Sequence, residues 1–268
     1  MSTALIFAAS YLIIRILIKN AHYMVYILLA KEQRNYLHKY YASKFNFYTQ
    51  LSAKKKLKFL YRVSVIKKTN RIKVADQIKH VIEDIELMIS AAFAQITFGF
   101  TNYELRRFSK IILYPDSFYS KLAGEHVNGL TVGNGYIYLS WNHFLRGYRD
   151  SSDKVNLALH ELAHALYIDK FHKEGSMVWY AWEEEALLVF NQISTRNEID
   201  FFRPYAKTNM AEFWAVTVEC FFEDPANFKS QFPALYQATA KLLKQDLLEK
   251  KCFFKRLSFI IPVIILFL

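Results

Sequence analysis

Apolar residues crowd both ends of the chain and fall into helical or strand-like periods between them. Residues 4–30 read ALIFAASYLIIRILIKNAHYMVYILLA and turn charged at Lys31-Glu32. As a helix they would extend about 40 Å, enough to cross a bilayer. Tyr11, Arg15, Lys19, His22 and Tyr26 share one helical face, which suits a helix lying in the interface equally well. A buried domain helix is the third reading. The C-terminal run Leu257–Leu268, LSFIIPVIILFL, follows Lys250, Lys251, Lys255 and Arg256. As a helix it reaches only about 18 Å, too short to span alone.

Between these ends the pattern predicts a helix over 76–95, from Ile78, Val81, Ile82, Ile85, Met88, Ile89 and Ala92. Ile111–Tyr114 reads as a strand stopped by Pro115. Leu130–Val132 and Tyr136–Trp141 flank Gly133-Asn134-Gly135, a hairpin signature. Ser151 and Ser152 are candidate caps for a helix from about Asp153 to Ile168. Further helices are expected over 181–193, over 210–222, and from Pro233 towards Lys250.

The chain has 268 residues, 53% hydrophobic and 17% aromatic, which excludes a disordered protein. Cys220 and Cys252 cannot build a disulfide framework. The charge is uneven: residues 1–80 hold 16 Lys and Arg against Glu32 and Asp76, and the rest holds 19 against 22 acids. A basic first third suits an anionic surface near that end. The aromatics of residues 36–48 interleave with lysines, but no RNA-binding motif accompanies them, so packing is expected and nucleic acid is not an expected partner. The chain divides into a membrane-prone segment (1–35), one domain (36–250) and a hydrophobic tail (251–268). If residues 4–30 span, the lysines and arginines after them keep the domain on the cytoplasmic side.

His160-Glu161-Leu162-Ala163-His164 is an H-E-x-x-H sequence within the helix predicted over 153–168. Histidines at i and i+4 project from one face about a turn apart, a separation that suits two ligands of one Zn²⁺. Glu161 between them can reach a metal-bound water and take its proton. The alternative is a chance match with two hydrogen-bonded core histidines. A catalytic zinc needs a third protein ligand. Glu184 lies 20 positions beyond His164, and Glu212 lies 48 beyond it on another predicted helix. Spacing alone favours Glu184.

The surrounding motifs carry a resemblance. Tyr114-Pro115-Asp116-Ser117-Phe118, Tyr138-Leu139-Ser140-Trp141, Gly147, Asp153, Asn156, the histidine motif, Ala211-Glu212-Phe213-Trp214-Ala215-Val216 with Glu219-Cys220-Phe221-Phe222, and Pro233-Ala234-Leu235-Tyr236 with Gln245-Asp246 occur in this order. Together they resemble the Mlc titration factor A family of zinc peptidases over roughly residues 40–248. The metal region is also similar to the catalytic domain of anthrax lethal factor. The resemblance implies zinc ligands His160, His164 and Glu212, a catalytic base Glu161, and a hydrogen bond from Tyr205 to the developing oxyanion. Glu219 is either a residue that orients a ligand from behind or a surface acid. In many relatives an Asp follows the second histidine by three positions; here that position is Tyr167.

These observations lead us to expect an α+β zincin-like domain, mostly helical with a small mixed sheet, attached to a membrane and facing the cytoplasm. The expected activity is zinc-dependent hydrolysis of peptide bonds in a peptide or protein substrate, with Tyr136–Trp141 as a strand for the substrate to pair with. The rival function is a regulatory binding protein that sequesters a transcription regulator or membrane partner, its zinc structural or vestigial.

Overall fold

The computed structural model describes residues 31–75, 77–172, 176–195 and 200–248, with Phe7, Ser10, Tyr11 and Ile14 as isolated positions. The remainder of the apolar segment 4–30, and the whole tail 251–268, lie outside the described residues. Among the described residues no helix is long and apolar enough to cross a membrane.

Helices α1 (Lys31–Lys44), α2 (Asn46–Gln50) and α3 (Ala53–Thr69) lead into strand β1 (Arg71–Val74). Helix α4 (Ile82–Ile96) carries the chain over to β2 (Lys110–Tyr114). A two-stranded hairpin follows, β3 (Phe118–Ser120) with β4 (Glu125–Val127), then β5 (Gly129–Val132) and β6 (Tyr136–Ser140). The second half is helical: α5 (Trp141–Arg149), α6 (Leu157–Leu166), α7 (Met177–Thr195), α8 (Met210–Glu223), α9 (Pro225–Gln231) and α10 (Pro233–Leu243). The main sheet runs β1-β2-β6-β5, with β1, β2 and β6 parallel and β5 antiparallel to β6. The architecture is the expected α+β, zincin-like fold, mostly helical with a small mixed sheet.

Strand alternation sorts the sheet into two faces. Ile111, Leu113, Ile137 and Leu139 point into the core, while Ile112, Tyr136 and Tyr138 face outward and are half-buried. One hydrophobic cluster joins Leu37 in α1 to Leu243 in α10. Tyr41 and Tyr48 are buried against Phe59, and Phe45 against Tyr41, so the aromatic run packs from Tyr40 to Tyr48, while Tyr36 stays half exposed. Buried Arg62 donates to the carbonyls of Thr97, Phe98 and Phe100, closing the open end of α4. Cys220 is a buried free thiol.

The hairpin forms where expected, with Gly135 at φ +96°. Four helix boundaries differ from expectation. Helix α4 begins at Ile82, so Ile78 and Val81 precede it. Helix α6 begins at Leu157, not near Asp153: Lys154 is left-handed (φ 62°) and Asp153 accepts from Val155 N, which spends the Ser151–Val155 stretch on turns. Asn156 then caps α6, and a π-turn over Tyr167–Phe171 follows it. Helix α7 runs four residues further towards the N-terminus than expected. Helix α10 stops at Leu243, where Lys244 turns left-handed at φ 55°. One functional expectation is corrected: β6 is bonded to β2 on one side and β5 on the other, so it has no edge to offer a substrate. Among the described residues, the free edge beside α6 belongs to β5.

Candidate metal centre

Two asparagine caps set the site. Asn156 accepts from Leu159 N at 3.1 Å and starts α6 one turn before His160. Its amide also donates to Gly147 O at 3.0 Å, tying the helix start to α5. Asn209 accepts from Glu212 N at 3.0 Å, so Glu212 lies in the first turn of α8. Trp214 Nε1 donates to Ala163 O at 2.8 Å and fixes α8 against α6.

This docking brings His160, His164 and Glu212 together, with one ligand atom from each lying within 4.8 Å of the others. His160 Nε2 and His164 Nε2 are 3.3 Å apart. Glu212 Oε2 is 2.9 Å from the first and 3.5 Å from the second. A tetrahedral ion with ligand bonds of about 2.0–2.1 Å has ligand–ligand edges of about 3.3 Å. Glu212 Oε2 is buried and lacks a well-aligned hydrogen-bond donor. The donor set, two imidazole nitrogens and a carboxylate oxygen, therefore fits a metal ion. Glu184, favoured by spacing, is exposed on α7 and belongs to no such cluster among the described residues. Helix α7 buries Trp179, Trp182, Ala186 and Ile193, and position 184 falls on the opposite side.

Burial opposes a charged His160, but the carboxylates of Glu212 and Glu219 prevail and raise it to about 9. Burial likewise works against the Glu212 carboxylate, and the two histidines outweigh it and hold that group well below the usual range. These opposite shifts are the two sides of one attraction between the imidazoles and the carboxylate.

Glu161 is buried beside the histidines, and burial raises its pKa against the pull of His160 and His164. Thr131 on β5 donates from its hydroxyl to Glu161 Oε2 at 2.8 Å. Gly129 on the same strand leaves the room: a Cβ there would lie 2.5 Å from Glu161 Oε1. Tyr205, in the 3₁₀ turn Pro204–Lys207, is 48% exposed, its ring 5.8 Å from that of His160. Burial, and then the charges of Glu212 and Glu161, raise its pKa, so its hydroxyl keeps its proton.

Glu219 is fully buried, which settles it as an internal residue. Its Oε1 is 2.7 Å from His160 Nδ1 and 2.5 Å from Arg203 Nη2, and its Oε2 accepts from Asn156 N at 2.7 Å. Thr131, Gly129 and Arg203 escaped sequence reasoning, because no local pattern marks a residue that meets the site only through folding. Tyr167, where many relatives have Asp, packs on Trp179 at 4.5 Å between ring centres.

The sequence matches the family described as glucose-regulated metallo-peptidase M90 over residues 19–244. The chain belongs to this metallopeptidase family. It is similar to Mlc titration factor A of Salmonella agona (strain SL483), 28% identical over 163 residues, which cover 52% of this chain and 60% of that protein. Mlc titration factor A of Salmonella arizonae is 28% identical over 165 residues, 52% of this chain and 63% of that protein. The chain thus spans less than two thirds of the length of these relatives. For a metallopeptidase family, a His–His–Glu group beside a buried glutamate is the expected kind of centre.

Proposed function

We propose that the chain is a zinc-dependent peptidase, with His160, His164 and Glu212 as zinc ligands and Glu161 as the catalytic base. The observation that carries this is the convergence of three ligand atoms beside a buried glutamate held by Thr131. Bound there, zinc supplies a Lewis acid for the scissile carbonyl and a water of lowered pKa. Glu219 takes the Nδ1 proton of His160 into a hydrogen bond, which leaves Nε2 for the metal. Glu161, made more basic by burial, takes the proton of the attacking water and returns it to the leaving amine. The hydroxyl of Tyr205 donates to the oxyanion as it forms. An extended substrate would pair with the free edge of β5, the strand that carries Gly129 and Thr131.

Zinc per chain by elemental analysis, joined to a peptide-hydrolysis assay on wild type and Glu161→Gln, tests this. About one zinc per chain, retained in a Glu161→Gln protein that no longer cleaves, is the expected result. A fully active Glu161→Gln protein removes that residue from its role.

The name of the relatives favours one rival, a regulatory protein that binds a transcription regulator. Undiminished binding of such a regulator by Glu161→Gln, with no hydrolysis by wild type, would favour it. We also propose that the protein works at a membrane with this domain on the cytoplasmic side. The apolar segment 4–30 and the exposed Lys31, Lys39, Lys44, Lys54 and Lys55 support that placement. Full-length protein that stays in the soluble fraction without detergent would refute it.

A further inference from the structure

Arg203 touches both sides of the centre. Its Nη2 donates to Glu219 Oε1 at 2.5 Å, and its guanidinium carbon lies 5.3 Å from the middle of the Tyr205 ring. The local chain explains the pairing. Pro204 restrains Arg203 to an extended backbone (ψ 153°), and the 3₁₀ turn that follows brings Tyr205 back beside it. Arg203 Nη2 also comes within 3.1 Å of His160 Nδ1. With Nε2 free for a metal, Nδ1 is protonated, so the two nitrogens meet as donors sharing one carboxylate oxygen.

Glu219 therefore receives three donors, from His160, Arg203 and the backbone of Asn156. When the imidazole is neutral, Arg203 is the cation bonded to this buried carboxylate. A buried carboxylate that loses such a partner is left uncompensated and rearranges. That rearrangement disturbs the imidazole that Glu219 holds.

We propose that Arg203 is a positioning residue that fixes the Glu219–His160 pair and the Tyr205 ring in one arrangement, so that one guanidinium sets both a zinc ligand and the oxyanion donor. This rests on the zinc-peptidase reading above. A lysine at the same place keeps the charge on Glu219 but lacks the planar fork that stacks on a ring.

The test uses the full chain with Arg203→Met and Arg203→Lys, and three readouts. Zinc affinity is measured by competition with a chromophoric chelator. The environment of Tyr205 is read by ¹⁹F spectra of chain labelled with 3-fluorotyrosine, its resonance assigned through Tyr205→Phe. The third readout is kcat and KM for a peptide. Arg203→Met should weaken zinc binding about 10- to 100-fold, move the Tyr205 resonance and lower kcat more than it alters KM. Arg203→Lys should recover most of the zinc affinity but neither the resonance nor kcat.

Wild-type zinc affinity together with an unmoved Tyr205 resonance in both variants overturns the proposal. Should Arg203→Met fail to fold, Arg203→Lys combined with Tyr205→Phe decides. Losses in kcat smaller than additive support coupling through Tyr205, and fully additive losses overturn it. A wild type that binds zinc and cleaves no peptide removes the peptidase reading alone, since the zinc and ¹⁹F readouts still report on Arg203. A wild type that binds no zinc removes both.

Discussion

Gly129→Ala isolates the placement of Glu161 from everything else in the site. The new Cβ would stand 2.5 Å from Glu161 Oε1, 2.7 Å from its Cγ and 2.8 Å from its Cδ. Ordinary contact begins at 3.4 Å, so the carboxyl must retreat by about an ångström. It cannot do so freely, because Glu161 is buried and its other oxygen is held by Thr131. Gly129 has no left-handed backbone that would strain an alanine, so the collision with Glu161 is the main effect. A misplacement of about 1 Å in a catalytic group costs on the order of 10²-fold in rate, or about 2.7 kcal/mol of barrier. The expected result is kcat about 100-fold down, KM little changed and zinc still near one per chain. Steady-state kinetics on a peptide substrate, with elemental analysis of the same sample, reads all three. A Gly129→Ala enzyme within about twofold of wild type would show that Glu161 does not act from the position it holds here.

Other perturbations probe the neighbours. Glu212→Ala should lose zinc while Glu184→Ala keeps it; the reverse result would restore the ligand favoured by spacing. Glu219→Ala should weaken zinc binding about 10- to 100-fold by releasing His160 Nδ1, and unchanged affinity in a chelator competition would remove that role. Trp214→Phe deletes one of two hydrogen bonds to Ala163 O, which keeps the backbone donor of Tyr167, a net cost of about 0.5–1.5 kcal/mol in denaturant unfolding. Stability of the zinc-free chain should fall as pH rises from about 6 to 8, above which burial of Lys58, lowered to about 8, works the other way. The carboxylates of Glu212 and Glu219, overcoming burial, raise His160 from 6.5 to about 9, and burial raises Glu223 from 4.5 to about 8. Both groups bind protons more tightly when folded, so each contribution is complete below the unfolded value and is lost as pH passes the folded one. Thermal midpoints of chelator-treated protein that stay level or rise across that window would refute this.

Some of the centre was legible from local sequence. The i, i+4 spacing of His160 and His164 is a property of one helix and needs no partner to place both rings on a face. The Gly133-Asn134-Gly135 turn specified the β5–β6 hairpin by backbone conformation alone. Helix starts were less legible: Ser151 and Ser152 read as caps, but the left-handed Lys154 keeps the chain in turns until Asn156, which caps the helix instead. Glu212 was one of two candidate ligands from the sequence, and its choice over Glu184, like the role of Tyr205, came through resemblance to a family, not through spacing.

The sequence by itself thus determined the one-turn pair of histidines and the elements with a clear local period or turn signal, since hydrogen bonds and side-chain period act over a few residues; α1 to α3, β1, β3, β4, α5 and α9 were not read from it. Only the tertiary structure decided which glutamate completes the group. Helix α7 spends its inward face on tryptophans and turns Glu184 to solvent, while α8 docks on α6 through Trp214 and carries Glu212 and Glu219 inward. The same packing chose β5 over β6 as the free edge, and brought Gly129, Thr131 and Arg203 to the site from loops and strands distant in sequence. Such choices follow from how apolar faces are buried against one another over the whole chain, and no short window of residues contains that information.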